Sequence, residues 1–243
     1  MPRAATSSTG AARGTFDHLP ADLLAFLTDL KRHNDRDWFV SQKARFESSV
    51  QTPVLHFVEA MAPRLRAISR HLRADARKAG GSVSRIHRDT RFSRDKRPFT
   101  TYVNVEFRHA AVERGEHGPS LYVGIQPGGI MIGGGLFHPD GPSALAVRKH
   151  IAAKGKAWLR VRDDPTLRDT FGGLAGDRLS RPPAGFPADH PLVDDLKRKD
   201  FVVYRTLDAG AIARPGFIDE VDTTFRAAAP LMAFVCAALD LPF

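Results

Sequence analysis

Cysteine is nearly absent: Cys236 is the only one in 243 residues, and one cysteine closes no intramolecular disulfide. That excludes a disulfide-stapled secreted scaffold and points to a reducing compartment, the cytoplasm. Cys236 sits in the apolar run 231–239 with no histidine or basic residue beside it, the setting of a buried small hydrophobe rather than a reactive thiol. No run approaches the length of a membrane span. Residues 1–14 lack acids but also lack the apolar core of a secretion signal. They read as part of a disordered tail, 1–15, ahead of a single domain, 16–243. The ten histidines show no HxxxH or HExxH spacing, so no metal is expected. Gly128-Gly129 and Gly133-Gly134-Gly135 lack the Lys-Ser/Thr of a P-loop and the spacing of a dinucleotide fingerprint. No Gly-x-Ser-x-Gly elbow occurs. Neither a cofactor nor a membrane partner is expected, and catalytic residues and oligomeric state stay open.

Positive charge is plentiful. Lys and Arg number 36 against 27 acids, a formal net charge of +9, which favours anionic partners through long-range attraction. The hydrophobic fraction, 42%, is enough for a real core.

The periodicity predicts an α+β domain. Leu23, Phe26, Leu27 and Leu30 have helical spacing. Asn34 or Asp35 can cap a second helix. Thr52-Pro53 reads as the start of a third, which Ala79-Gly80-Gly81 would end. Phe99, Thr101, Val103, Val105 and Phe107 then alternate with polar residues, as in a half-buried strand. Leu121, Val123 and Ile125 repeat the pattern, Pro127-Gly128-Gly129 signals a turn, and 130–137 returns. Strands 99–108, 120–126 and 130–137 are expected to pair antiparallel. Downstream come a helix capped by Ser143 and running to about Arg160, a short one from Asp164-Pro165 to Gly172, a strand at 201–207, and 217–239 as one helix or two broken near Pro230. The expected architecture is a central antiparallel sheet flanked by N-terminal and C-terminal helices.

The most unusual segment is 84–98, with arginines at every third position: Arg85, Arg88, Arg91, Arg94 and Arg97. Lys96 adds a cation, and Asp89 and Asp95 oppose them. Arginine offers planar paired donors suited to phosphate or carboxylate. Three readings stand: a pocket for a small anionic ligand, with the aspartates orienting the cations; a salt-bridged structural or protein-interaction loop; or weak, non-specific nucleic-acid binding. Against the last, aromatics are not interleaved at exposed-looking positions. The glycines at 128–135, ahead of a helix capped at Ser143, are a further candidate for a phosphate cradle.

The run Arg85-x-x-Arg88-Asp89-x-Arg91-Phe92-Ser93-x-Asp95-Lys96-x-Pro98-Phe99 resembles the signature of the domain-of-unknown-function family numbered 2461. Asn34-Asp35-Arg36-Asp37-Trp38-Phe39, Tyr122, the glycines at 128–135, Arg148 and Leu196-Lys197-Arg198-Lys199-Asp200 resemble other parts of it, over about 17–240. The resemblance implies a soluble domain without an established reaction, cofactor or catalytic residue. Phe99-Thr100 departs from the Tyr-Lys common there. The candidate ligand-binding residues are therefore Arg85, Arg88, Asp89, Arg91, Asp95 and Lys96, with Arg148 and Lys199 as distant additions.

Overall fold

The computed structural model describes residues 16–113 and 116–243; the proposed tail, 1–15, lies outside them. The fold is α+β, as the periodicity predicts. Four strands, β1 (Val103–Arg108), β2 (Ser120–Gln126), β3 (Gly129–Leu136) and β4 (Phe201–Leu207), form one antiparallel sheet in the order β1-β2-β3-β4. The register pairs Val105 with Val123, Val123 with Ile132, and Ile132 with Arg205. Alternation puts Val103, Val105, Phe107, Leu121, Val123 and Ile125 on one face, all buried. The other face is open.

The buried face carries the helices. α1 (Asp22–Arg32) turns all four of its periodic apolar residues inward. α2 (Arg36–Ser41) is capped by Asp35, whose carboxylate accepts from the Trp38 backbone N–H at 2.9 Å. Thr52 is no cap, however. α3 (Lys43–Phe46) runs through a π turn (Glu47–Gln51) into α4 (Thr52–Ile68) without leaving helical geometry. The π turn admits Pro53, which has no N–H to donate. The helix stops at Ile68, well before Gly80.

Further corrections concern the second half. Asp140, not Ser143, caps α5 (Gly141–Ala153), accepting from the Ser143 N–H at 2.8 Å. The predicted long helix breaks at Lys154, and α6 (Gly155–Arg162) follows. α7 (Pro165–Phe171) opens on the Asp164 side chain and closes on Gly172 at φ 74°. α8 (Val193–Leu196) is a single short turn ahead of β4. α9 (Phe217–Ala238) passes Pro230 unbroken. At 22 residues and mean hydropathy 1.2 it is long and apolar enough to cross a membrane by composition alone, which corrects the expectation that no run approaches that length. Here it is the central core helix, buried along most of its length and packed on β3 and α4. Phe225 of α9 packs on Phe107 of β1, which packs on Phe57 of α4. Cys236 lies inside this core, and burial pushes its thiol up to about 12, as expected of an inert hydrophobe.

Both sheet edges are covered, which blunts edge-to-edge pairing. Residues 82–88 form an extended arm whose first part runs beside β1, the Ser84 N–H donating to Asn104 O and the Glu106 N–H to Ser82 O, and whose second part pairs with 98–100. On the far side, the Ala175 N–H donates to Val202 O of β4. The returning arm is anchored by Phe99, stacked on Phe39 at 4.1 Å between centroids. The Asn34 side chain grips Phe99 twice, donating to its carbonyl and accepting from its N–H, both at 3.0 Å. So the Phe99-Thr100 departure has a structural role: Phe99 is buried and the Thr100 hydroxyl donates to Ile86 O. Asn34→Ala should cost about 1–3 kcal/mol, because two backbone groups lose their partners; urea denaturation checks it, and a loss below about 0.5 kcal/mol would show that water replaces the amide.

Candidate functional site

Covered edges and a helix-packed face leave the open sheet face as the accessible part of the sheet. The register arranges it in three transverse rows: Asn104–Gly124–Met131–Thr206, Glu106–Tyr122–Gly133–Tyr204 and Arg108–Ser120–Gly135–Val202. Each row contains one glycine, and Gly133 and Gly135 leave neighbouring outward positions of β3 without side chains. Gly124 makes a bed for the Tyr122 ring: a Cβ there would stand 2.3 Å from the tyrosine oxygen. Lying flat, the ring brings its hydroxyl to Asn104 Oδ1, to which it donates at 2.7 Å. Burial raises the Tyr122 pKa, with smaller contributions from Tyr102 and Glu106. The hydroxyl is a neutral hydrogen-bonding group near pH 7. Gly133 and Gly135 bring β4 close: a Cβ would stand 2.0 Å from Val203 O and 2.1 Å from Phe201 O respectively.

Two adjoining cavities occupy this face. One, about 580 Å³, lies over the glycine floor and is walled by Tyr122, Met131, Phe137, Val202 and Tyr204. The other, about 640 Å³, lies towards the arm and is lined by Arg73, Arg77, Arg85 and Arg108 with Asp75 and Glu106. They share Asn104, Glu106, Arg108 and Tyr122 as a common wall. Arg108 donates through Nε to Glu106 Oε2 at 2.7 Å, which fixes the guanidinium on the face and leaves Nη1 outward. One cavity is thus mostly apolar, and the other has four cations against two carboxylates.

The Arg-rich segment is elsewhere for the most part. It forms the end of the arm, a loop at 89–97, in which a local rule repeats. In Asp75-x-Arg77, Asp89-x-Arg91 and Asp95-x-Arg97, each carboxylate accepts both the backbone N–H and the guanidinium of the residue two further on. Arg88 joins Asp95 at 2.7 Å, and Lys96 donates to Thr90 O at 3.0 Å. Arg97 first and Arg88 second hold the Asp95 carboxyl well below the usual carboxylate range, and Arg91 lowers Asp89.

The sequence candidates Arg85, Arg88, Arg91 and Lys96 are not gathered in either of these two cavities. Of these, Arg85 lines the arginine-rich cavity, while Arg88 pairs with Asp95 and Arg91 pairs with Asp89 through Nε and Nη2. The distant candidates do not join them. Arg148 caps carbonyls, donating to Leu196 O and Arg198 O at 2.8 Å each, and Lys199 is exposed beyond α8. Nor do the glycines cradle a phosphate at α5, whose N-terminus is closed by the Asp140 carboxylate.

Sequence reasoning missed Tyr122, Tyr204, Arg108 and Arg73 as a group. A signal existed: Tyr122 and Tyr204 fall at outward positions of strands whose inward positions are mostly aliphatic or phenylalanine. No curated protein and no solved structure matches the chain. Residues 22–234 match the family described as conserved hypothetical protein (DUF2461). The match spans most of the sequence and every element from α1 to β4, so the chain belongs to the DUF2461 family.

Proposed function

We propose that this domain binds a small anionic ligand with a flat, apolar body on the open face of its sheet. The ring would lie on the glycine floor between Tyr122 and Tyr204, and its phosphate or carboxylate would meet Arg108, Arg85 and Arg73. One observation carries this reading: a mostly apolar cavity and an arginine-rich one share a wall whose polar groups are already oriented. A concave, largely apolar site with a few fixed polar groups is the usual form of a small-molecule site. Orienting donors before binding also lowers the ordering cost. Relative to the sequence reading, the ligand class stays and the place moves, from the Arg loop to the sheet, with Arg85 common to both. The geometry favours binding; it contains no arrangement of nucleophile and base that would name a reaction.

The test is a thermal-shift and calorimetry series with inorganic phosphate, an aromatic carboxylate and a nucleoside monophosphate. A ligand at about 100 times its Kd stabilises by about 2.7 kcal/mol, which is about 5–10 °C in Tm for a domain of this size. Arg108→Ala should weaken the responding ligand at least about tenfold, in keeping with loss of a charge-assisted hydrogen bond. Absence of any response from all three probes would overturn the reading.

A further inference from the structure

We infer that the natural ligand of this face is single-stranded nucleic acid, with one nucleotide on the sheet and the loop at 89–97 as a second contact. This rests on the reading of the sheet face given above and extends it from a small anion to a polymer of such units.

Phe92 carries the inference. Its ring is 95% exposed at the tip of the loop, where apolar burial cannot be why it is there. Around it, residues 85–97 hold six cations, Arg85, Arg88, Arg91, Arg94, Lys96 and Arg97, against two carboxylates, Asp89 and Asp95. The Asp-x-Arg turns do not bury the arginines. Arg91 and Arg97 are held by Nε and Nη2 and yet remain 77% and 55% exposed. Their Nη1 groups point away from the carboxylates, as does that of Arg77 beside the sheet cavity. Oriented, outward guanidinium groups flanking an exposed ring are the elements of a stacking platform with phosphate contacts. The sheet face offers the same elements, with exposed Tyr204 and Arg108 lining one cavity and Arg85 and Arg108 the adjoining one. The sequence-level objection, that aromatics are not interleaved with the cations at exposed positions, falls away at Phe92.

Two alternatives fit less well. The Arg91 guanidinium lies 5.8 Å from the Phe92 ring centroid, so a bilayer taking up the ring would also have to take up that charge. A base stacking on the free side of the ring leaves Arg91 in water. Duplex nucleic acid offers the same phosphates, but its base faces are already stacked on one another, so the ring gains nothing.

The experiment is fluorescence anisotropy on the full chain with a twelve-nucleotide single strand, as DNA and as RNA, across a salt series. A matching duplex, a nucleoside monophosphate and anionic phosphatidylserine vesicles are run in parallel, with Phe92→Ala and Arg94→Ala as variants. Both residues are exposed, so the fold tolerates the changes. The expected result is single-strand binding that falls steeply with salt, weakened about tenfold by Phe92→Ala and less by Arg94→Ala. Duplex binding should be weaker and insensitive to Phe92→Ala, and monophosphate binding should be unchanged in both variants. Monophosphate binding without single-strand binding overturns this inference and leaves the sheet site standing. Failure of both overturns the two together. Single-strand binding indifferent to Phe92→Ala removes the loop contact and with it the inference. Vesicle binding that needs Phe92, without single-strand binding, overturns it in favour of a membrane surface.

Discussion

Replacing Asp195 by alanine is expected to lower the unfolding free energy by about 3–5 kcal/mol. Asp195 is buried, and both carboxylate oxygens are used: Oδ1 accepts from Arg198 Nε at 3.2 Å and Oδ2 from Arg162 Nη1 at 2.9 Å. Arg198 is as buried as its partner, each side chain being 5% exposed. Desolvation lowers the Arg198 pKa, and the hydrogen bond to Asp195 works against that. Without Asp195 the Arg198 charge would keep only the Leu174 and Ala175 carbonyls, at 3.5 and 3.4 Å, while Arg162 would fall back on Asp163. Removing one partner of a buried pair costs far more than the pair itself contributes. Asp195→Asn separates the terms, because it keeps shape and one acceptor but removes the charge; it should fall between the parent and Asp195→Ala. Urea denaturation with matched m-values measures both. A loss under about 1 kcal/mol for Asp195→Ala would mean that water reaches Arg198.

Gly135→Ala should be comparably severe, at about 2–6 kcal/mol. Two costs coincide there. The backbone holds φ at 132°, where a side chain adds about 1–3 kcal/mol of strain. The added Cβ would also stand 2.1 Å from Phe201 O, a backbone atom in a paired strand, and overpacking of that kind adds about 1–3 kcal/mol. Gly128→Ala is the control, since a Cβ there meets nothing within 4 Å; it should shift Tm by less than about 2 °C. If the two variants melt alike, β3 and β4 can separate without loss, and the glycine floor is not what shapes the site. Because Gly135 faces the apolar cavity, Gly135→Ala should also reduce ligand binding more than its effect on folding explains.

The fold class was legible in the sequence wherever one periodicity held for several residues. Alternation marked strands at 99–108, 120–126 and 201–207, because one face of each is buried and the opposite face is not; β1 begins only at Val103, since Phe99 and Thr100 pair with the arm instead. Asp35, Asp164 and Gly172 marked helix ends, because capping is a contact between residues two to four apart. The errors lie where packing outweighs local preference. Thr52-Pro53 has the form of a helix start, yet the chain enters it from a π turn already in helical geometry. Pro230 has the form of a break, yet α9, buried on β3, stays helical through it.

The candidate site divides in the same way. By itself the sequence determined the excess of positive charge, a net +9, and the arginine stride, because charge is a sum over residues and needs no geometry. It also determined the local Asp-x-Arg pairings, since residues two apart in a turn meet whatever the rest of the chain does. Only the tertiary structure decided where cations and rings meet. Arg73, Arg108, Tyr122 and Tyr204 come from four separate segments, and strand register puts three of them on one face: Arg108 on β1, Tyr122 on β2 and Tyr204 on β4. Register depends on the pairing of whole strands, and a slip of one residue would turn every one of these side chains into the core. That dependence is why the loop stood out in the sequence while the sheet face did not.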